Sequence, residues 1–259
     1  NDPTSSIDPN DWVEHFEDLT KKPDRVVMDS HMQEQIALME SSRTFSQIDF
    51  GISLEEVRKA INFLKLGKSA GPDQIVNELL KYSINEITPT LCCIFNRIFA
   101  AGRFPEIWSF SFVKPLHKGG SLKSPGNFRG ISLMSCVGKV FVMILNDRLT
   151  DYLSGIGLPG HEQIGFKKRC RTSDHILTLK TLITKYINRI GLDGSRNKLY
   201  TAFVDFEKAF DTVWRQGLYY KLLKHEIRGP FYNIIVSMYN KYQFSLLLGD
   251  GITRKIDTN

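Results

Sequence analysis

The chain has 259 residues, 42% of them hydrophobic, enough to bury a sizeable core as one large domain or two subdomains, which excludes a disordered chain. Lys and Arg outnumber Asp and Glu by 34 to 28, a net charge of +6 that favours an anionic partner; nucleic acid leads, with an ordinary basic surface as the alternative. Cys92, Cys93, Cys136 and Cys170 show no CxxC spacing and no paired histidines, so reduced, mostly buried thiols are expected rather than a zinc site or a disulfide framework. No apolar run reaches the length of a membrane span, and the stretch NDPTSSIDPNDWVEHF lacks signal-peptide character, so an intracellular location, nuclear or cytoplasmic, is the default expectation.

Taken in chain order, the first strong element is SLEEVRKAINFLKL, where Ser53 and Glu56 are spaced as a capping box and Leu54, Val57, Ile61 and Leu64 share a helical face. GPDQIVNELLKY follows, with Pro72 placed at a first helical turn, and then ITPTLCCIFNRIFAAGRFP, a helix that stops at Gly102 and Pro105. Residues 112–132 read as two extended arms around a Gly/Ser/Pro-rich turn, with basic residues on both arms. Helical spacing returns in SCVGKVFVMILNDRLTDYL and in TSDHILTLKTLITKYINRI, where Ile176, Leu179, Ile183, Tyr186 and Ile190 share a face. The turn GLDGSRNK leads to the apolar run LYTAFVDF, predicted to be a buried strand, followed by the helices RQGLYYKLLKHEI and GPFYNIIVSMYNKY and a strand pair around LLLGDGITRKI. Helices with a few non-contiguous strands give an α+β class, with no internal repeat.

Two motifs fail on spacing. The triplet Gly67-Lys68-Ser69 would need a glycine at position 62 to be a phosphate loop, and that residue is Asn62. His161 and His175 lack metal-ligand spacing and read as surface or packing residues. The chemistry concentrates instead at Asp205, which ends the apolar run. A carboxylate at the tip of a buried strand is costly unless a metal ion, a basic side chain or a helix start pairs with it, and spacing alone leaves those three open. Asp211, one turn further on, reads as a helix cap or a structural hydrogen-bonding residue rather than a metal ligand.

Four segments in order, GKSAGPDQIVNELLK, FVKPLHKGG…NFRGISL, HEQIGFKKRCRTSDHI and AFVDFEKAFDTV, resemble the reverse transcriptases of non-LTR retrotransposons, from about Ser53 to the end of the chain. The resemblance implies a right-hand polymerase fold in three parts: an N-terminal helical extension at 1–52, mostly helical fingers at 53–198 and a partial palm sheet at 199–259. It implies RNA-directed DNA synthesis by two-metal nucleotidyl transfer, with Mg²⁺, an RNA template, a DNA primer and a dNTP. Asp205 is then a metal ligand and the catalytic carboxylate, helped by the backbone carbonyl of Phe206. Lys118 and Arg129 on the hairpin arms grip the dNTP triphosphate, the alternative being a solvated basic hairpin. Phe210 packs against the sugar and crowds a 2′ hydroxyl, the alternative being a core phenylalanine. Gln163, Phe166, Lys167, Lys168, Arg169 and Arg171 form the template-binding stretch.

Three positions depart from the family pattern: Gln74 and Arg169 stand where glycine is usual, and Gly130 stands where proline follows the arginine, which predicts a less rigid hairpin and a divergent or decaying copy. The family's Tyr-x-Asp-Asp hairpin is not in this sequence and no Asp-Asp pair occurs in it, so the isolated chain is expected not to polymerise. Three functional classes remain: a fragment of an active polymerase, a non-catalytic nucleic-acid-binding module, and a protein-interaction scaffold. An open palm edge around Ala202–Asp205 is expected to invite self-association or a partner chain.

Overall fold

A computed structural model describes residues 2–21, 26–40, 45–187, 198–206, 208–249 and 251–258. The chain divides into two compact units, residues 1–149 with 209–259, and residues 150–208.

In the larger unit, α1 (Pro9–Thr20) starts where Asp8 accepts the Asn10 backbone N–H at 2.7 Å and Pro9 occupies the first turn. α2 (Val26–Glu40) follows. α3 (Leu54–Phe63) opens with the capping box expected of its sequence: Glu56 N–H donates to Ser53 Oγ at 3.2 Å and Ser53 N–H to Glu56 Oε2 at 2.8 Å. α4 (Asn77–Tyr82) begins five residues later than Pro72 predicts, because residues 71–74 form a turn closed by Gln74 N–H on Gly71 O. α5 (Ile84–Ala101) ends at Gly102 as expected. α6 (Cys136–Gly155), α8 (Arg215–Lys224) and α9 (Gly229–Asn240) are further α-helices among the described residues, and the boundary between the two units falls inside α6.

The strands β1 (Phe110–His117), β2 (Phe128–Leu133), β3 (Gln243–Leu248), β4 (Gly251–Ile252) and β5 (Ile256–Asp257) make one mixed sheet in the order β2-β1-β3-β4, with β5 also on β3. β1 and β2 form the predicted antiparallel hairpin, and β3 joins β1 in parallel, Phe110 opposite Gln243. One sheet face is covered by α1: Trp12, Val13 and Phe16 pack with Val113, Phe128, Phe244, Leu246 and Ile256. Each such buried side chain contributes about 1.5–3 kcal/mol relative to exposure. Aromatic rings dominate the helical core, with Phe95 5.2 Å from Phe141 and Phe104 5.8 Å from Trp108 between ring centroids.

Within 150–208, a series of turns leads to α7 (Thr172–Ile187), on which no residue is buried. Its apolar positions Ile176, Ile183 and Tyr186 are 63%, 40% and 42% exposed, and Ile190 lies outside the described residues. The turn predicted at 191–198 also lies outside them, apart from Lys198. The strand predicted at LYTAFVDF does not form: residues 198–206 have no regular secondary structure, and Tyr200, Phe203 and Val204 are 87%, 83% and 86% exposed. Apolar composition makes a segment suitable for a sheet, but a strand exists only where a neighbour accepts its hydrogen bonds. The thiols are a second correction. Only Cys136 is buried, Cys93 is exposed, and Cys92 and Cys170 are partly exposed.

Candidate nucleotide and nucleic-acid site

The β1–β2 hairpin places its cations by strand parity. Register sets Leu116 opposite Arg129 and Lys114 opposite Ile131, and all four are exposed, whereas Val113, Pro115 and Phe128 are buried on the other face. The ladder continues one rung, Lys118 N–H donating to Asn127 O at 2.9 Å, so Lys118 falls on the same outward row as Lys114 and Leu116, diagonal to Arg129. The expected pair is thus brought together on one solvent-facing surface. Lys114 joins it, and the sequence reading missed it; its signal was the i, i+2, i+4 spacing Lys114, Leu116, Lys118. At Gly130 a Cβ would lie 2.8 Å from Phe16 Cε1 and 2.9 Å from Val113 Cγ1, so the backbone is packed directly against side chains.

The basic loop is a chain of tight turns. Gln163 N–H bonds Gly160 O, Lys167 N–H bonds Ile164 O, and Cys170 N–H bonds Lys167 O, each at 3.3 Å. Phe166 is 93% exposed and, like Arg169, has a positive φ, 61° and 67° respectively. Gln163, Lys168, Arg169 and Arg171 are exposed. Lys168 pairs with Asp151 at 2.8 Å, and Lys167 Nζ reaches Pro159 O at 3.4 Å. The Arg171 backbone N–H is held by Asp174 Oδ2 at 2.7 Å, which anchors the loop to the start of α7.

Asp205 is exposed, and Phe206 beside it is 80% exposed; both belong to the unit 150–208. Among the described residues no group of three His, Cys, Asp or Glu side chains could hold a metal ion, so these residues by themselves do not fit a two-metal centre. Phe210 belongs to the other unit, is 79% exposed rather than buried, and lines a cavity of about 410 Å³ with Trp108, Trp214, Tyr239 and Tyr242. Asp211 lines it too and caps no helix, because α8 starts four residues later with Trp214 at its N-cap. Deep beside this cavity, burial pushes the Tyr219 phenol up to about 12, so it stays neutral and donates to Asn240 Oδ1 at 3.3 Å.

Comparison with known proteins gives the class. The family profile described as reverse transcriptase (RNA-dependent DNA polymerase) matches residues 116–255, from the first arm of the hairpin through Asp205 to β3 and beyond. The probable RNA-directed DNA polymerase from transposon BS of Drosophila melanogaster is 31% identical over 196 residues, 74% of this chain and 21% of the relative. The RNA-directed DNA polymerase from mobile element jockey of the same species is 29% identical over 66% of this chain and 18% of the relative. The Pol polyprotein from type-1 retrotransposable element R1 of Bradysia coprophila is 26% identical over 79% of this chain and 19% of the relative. The chain spans about a fifth of the length of these curated relatives. It belongs to the reverse transcriptase family, of the non-LTR retrotransposon type that its four motifs resemble.

Proposed function

We propose that this chain is the nucleotide- and template-binding part of an RNA-directed DNA polymerase: mostly helical fingers followed by the first portion of a palm. The observation that carries the reading is the outward row of the hairpin, where Lys118 and Arg129 stand as diagonal neighbours with Lys114 beside them. Two or three cations on a rigid antiparallel ladder present fixed donors to a polyphosphate, and charge-assisted contacts of this kind offset charge on a leaving pyrophosphate. The basic loop, with Arg169 and Arg171 exposed beside Phe166, supplies contacts for a template backbone and an exposed aromatic ring for a base.

In the complete enzyme Asp205 is the first carboxylate for Mg²⁺, with the Phe206 carbonyl as a second oxygen, and bound divalent ions would supply charge neutralisation at the reacting phosphate. Phe210 is the ring set against the sugar of the incoming dNTP. The chain alone supplies the binding surfaces and is expected not to polymerise.

A filter-binding titration of a single-stranded RNA against salt tests the template part. Replacing Lys167, Lys168, Arg169 and Arg171 by alanine should weaken binding and flatten the slope of log K against log salt, by about 0.7 for each phosphate that is no longer neutralised. An unchanged slope removes the loop from the interface. Because Lys168 must exchange its Asp151 partner for phosphate, Lys168→Ala should matter less than Arg171→Ala.

A further inference from the structure

We infer that the N-terminal helix α1 is the positioning element for Arg129, through a steric lock between Phe16 and Gly130 and a second aromatic contact between Trp12 and Phe128. The inference rests on the reading of Arg129 as a phosphate ligand.

Trp12 and Phe16 are i and i+4 on α1 and so share one helical face, about 6 Å apart along its axis. Phe128 and Gly130 are i and i+2 on β2 and so share one sheet face, about 6.8 Å apart. The two spacings match, and the structure uses the match. Trp12, fully buried, meets Phe128 edge-on with centroids 4.8 Å apart and an interplanar angle of 83°. Phe16 fills the space that a side chain at position 130 would occupy, since a Cβ there would stand 2.8 Å from its Cε1 and 3.2 Å from its Cζ. Arg129 lies between these two contacts and has the opposite parity, so its backbone is clamped from behind while its guanidinium faces solvent.

The clamp is itself braced. Phe16 packs on Phe244 of β3 at 6.2 Å, and Trp12 Nε1 donates to Thr4 O at 3.3 Å. Ser6 Oγ donates to Leu122 O at 2.9 Å, which ties the same N-terminal segment to the hairpin tip. Glycine at 130 is therefore a fitted partner of Phe16, and it replaces the stiffness that proline would give from within the strand with stiffness supplied by α1. Trp12 and Phe16 touch no nucleotide; they act through Arg129.

The test uses the whole chain with inorganic tripolyphosphate as probe, read by titration calorimetry at low salt, together with amide hydrogen exchange. Gly130→Ala drives a methyl into Phe16 and Val113. It should reduce tripolyphosphate affinity about fivefold and accelerate exchange at residues 128–131, while exchange in α5 and α9 keeps its wild-type rate. Adding Phe16→Leu, which withdraws the ring atoms that clash, should recover part of both effects, since the contact with Val113 Cγ1 at 2.9 Å remains. A role confined to stability would show no such recovery of affinity. Should Gly130→Ala fail to fold, Trp12→Phe keeps an aromatic ring beside Phe128, drops the bond to Thr4 and loses part of the buried indole packing, and should speed exchange at Phe128 and Arg129. Unchanged affinity and exchange in Gly130→Ala, or no recovery in the double variant, overturns the lock. If instead wild type and Arg129→Ala bind tripolyphosphate equally, the phosphate reading of Arg129 fails, and the exchange data still decide whether α1 holds the strand.

Discussion

Arg148 of α6 grips Glu56 of α3 with two prongs, Nε to Oε1 at 2.6 Å and Nη2 to Oε2 at 2.9 Å, while only 6% of the arginine residue is exposed. Its remaining donors close on the backbone carbonyls of Ile48, Phe50 and Gly51, and the guanidinium lies 3.9 Å from the centre of the Phe50 ring. One side chain thus joins two helices and the loop before α3, and Glu56 in turn closes the capping box on Ser53. Arg148→Met leaves a half-buried carboxylate and three carbonyls without their cation, and should cost about 3 kcal/mol by urea denaturation. Glu56→Gln keeps an acceptor and should cost less than half of that.

The same pair sets an acid limit. Burial raises the Glu56 pKa, but the Arg148 and Ser53 hydrogen bonds more than offset this and hold it below its ordinary 4.5. A depressed folded pKa stabilises fully above 4.5, and that stability is lost as pH falls through the folded value. Asp49 has the opposite sign: burial pushes its carboxyl above 3.8 despite bonds from Ser46 and Phe231, so protonation relieves a cost as pH falls. Melting temperature should therefore drop below about pH 4.5, with a shallower fall in Glu56→Gln and a steeper one in Asp49→Asn.

Two of the family departures carry backbone strain. Gln74 and Arg169, both standing where the family resemblance leads one to expect glycine, have φ of 60° and 67°, in the left-handed region that costs a side chain about 1–2 kcal/mol. Glycine gives back part of this in chain entropy. Gln74→Gly and Arg169→Gly should each raise stability by about 0.5–1 kcal/mol in chemical denaturation, and a decrease at either position would refute the strain.

Gly229 opens α9 with φ of 65°, and a Cβ there would lie 2.4 Å from Asp49 Oδ2, the carboxylate that accepts the Phe231 backbone N–H through its other oxygen at 3.0 Å. Gly229→Ala should cost about 2 kcal/mol or more, since it strains the backbone and displaces the anion from the helix start. Thermal melting of the purified variant decides.

Asp205 is exposed, so Asp205→Asn in this chain should shift stability by no more than about 0.5 kcal/mol, with or without Mg²⁺. In the complete polymerase the same change should abolish DNA synthesis. The open apolar run around it, with Phe203 and Val204 more than four-fifths exposed, should drive concentration-dependent self-association. Light scattering that stays monomeric across a wide concentration range would count against this.

What the sequence determined by itself is what depends on neighbours a few residues apart. Ser53 and Glu56 are three positions apart, so the cap of α3 was legible; so were the stop at Gly102 and the hairpin arms that carry Lys118 and Arg129. The family, too, was legible, because its motifs are short runs in a fixed order. Tertiary structure decided the rest. The parallel pairing of Phe110 with Gln243, the seat of Phe16 on Gly130 and the burial of Arg148 against Glu56 all join residues far apart in the chain, and no local pattern specifies such partners. The run LYTAFVDF shows the same limit from the other side. Its composition suits a strand, but hydrogen bonds in a sheet belong to pairs of strands, and among the described residues no strand is paired with it.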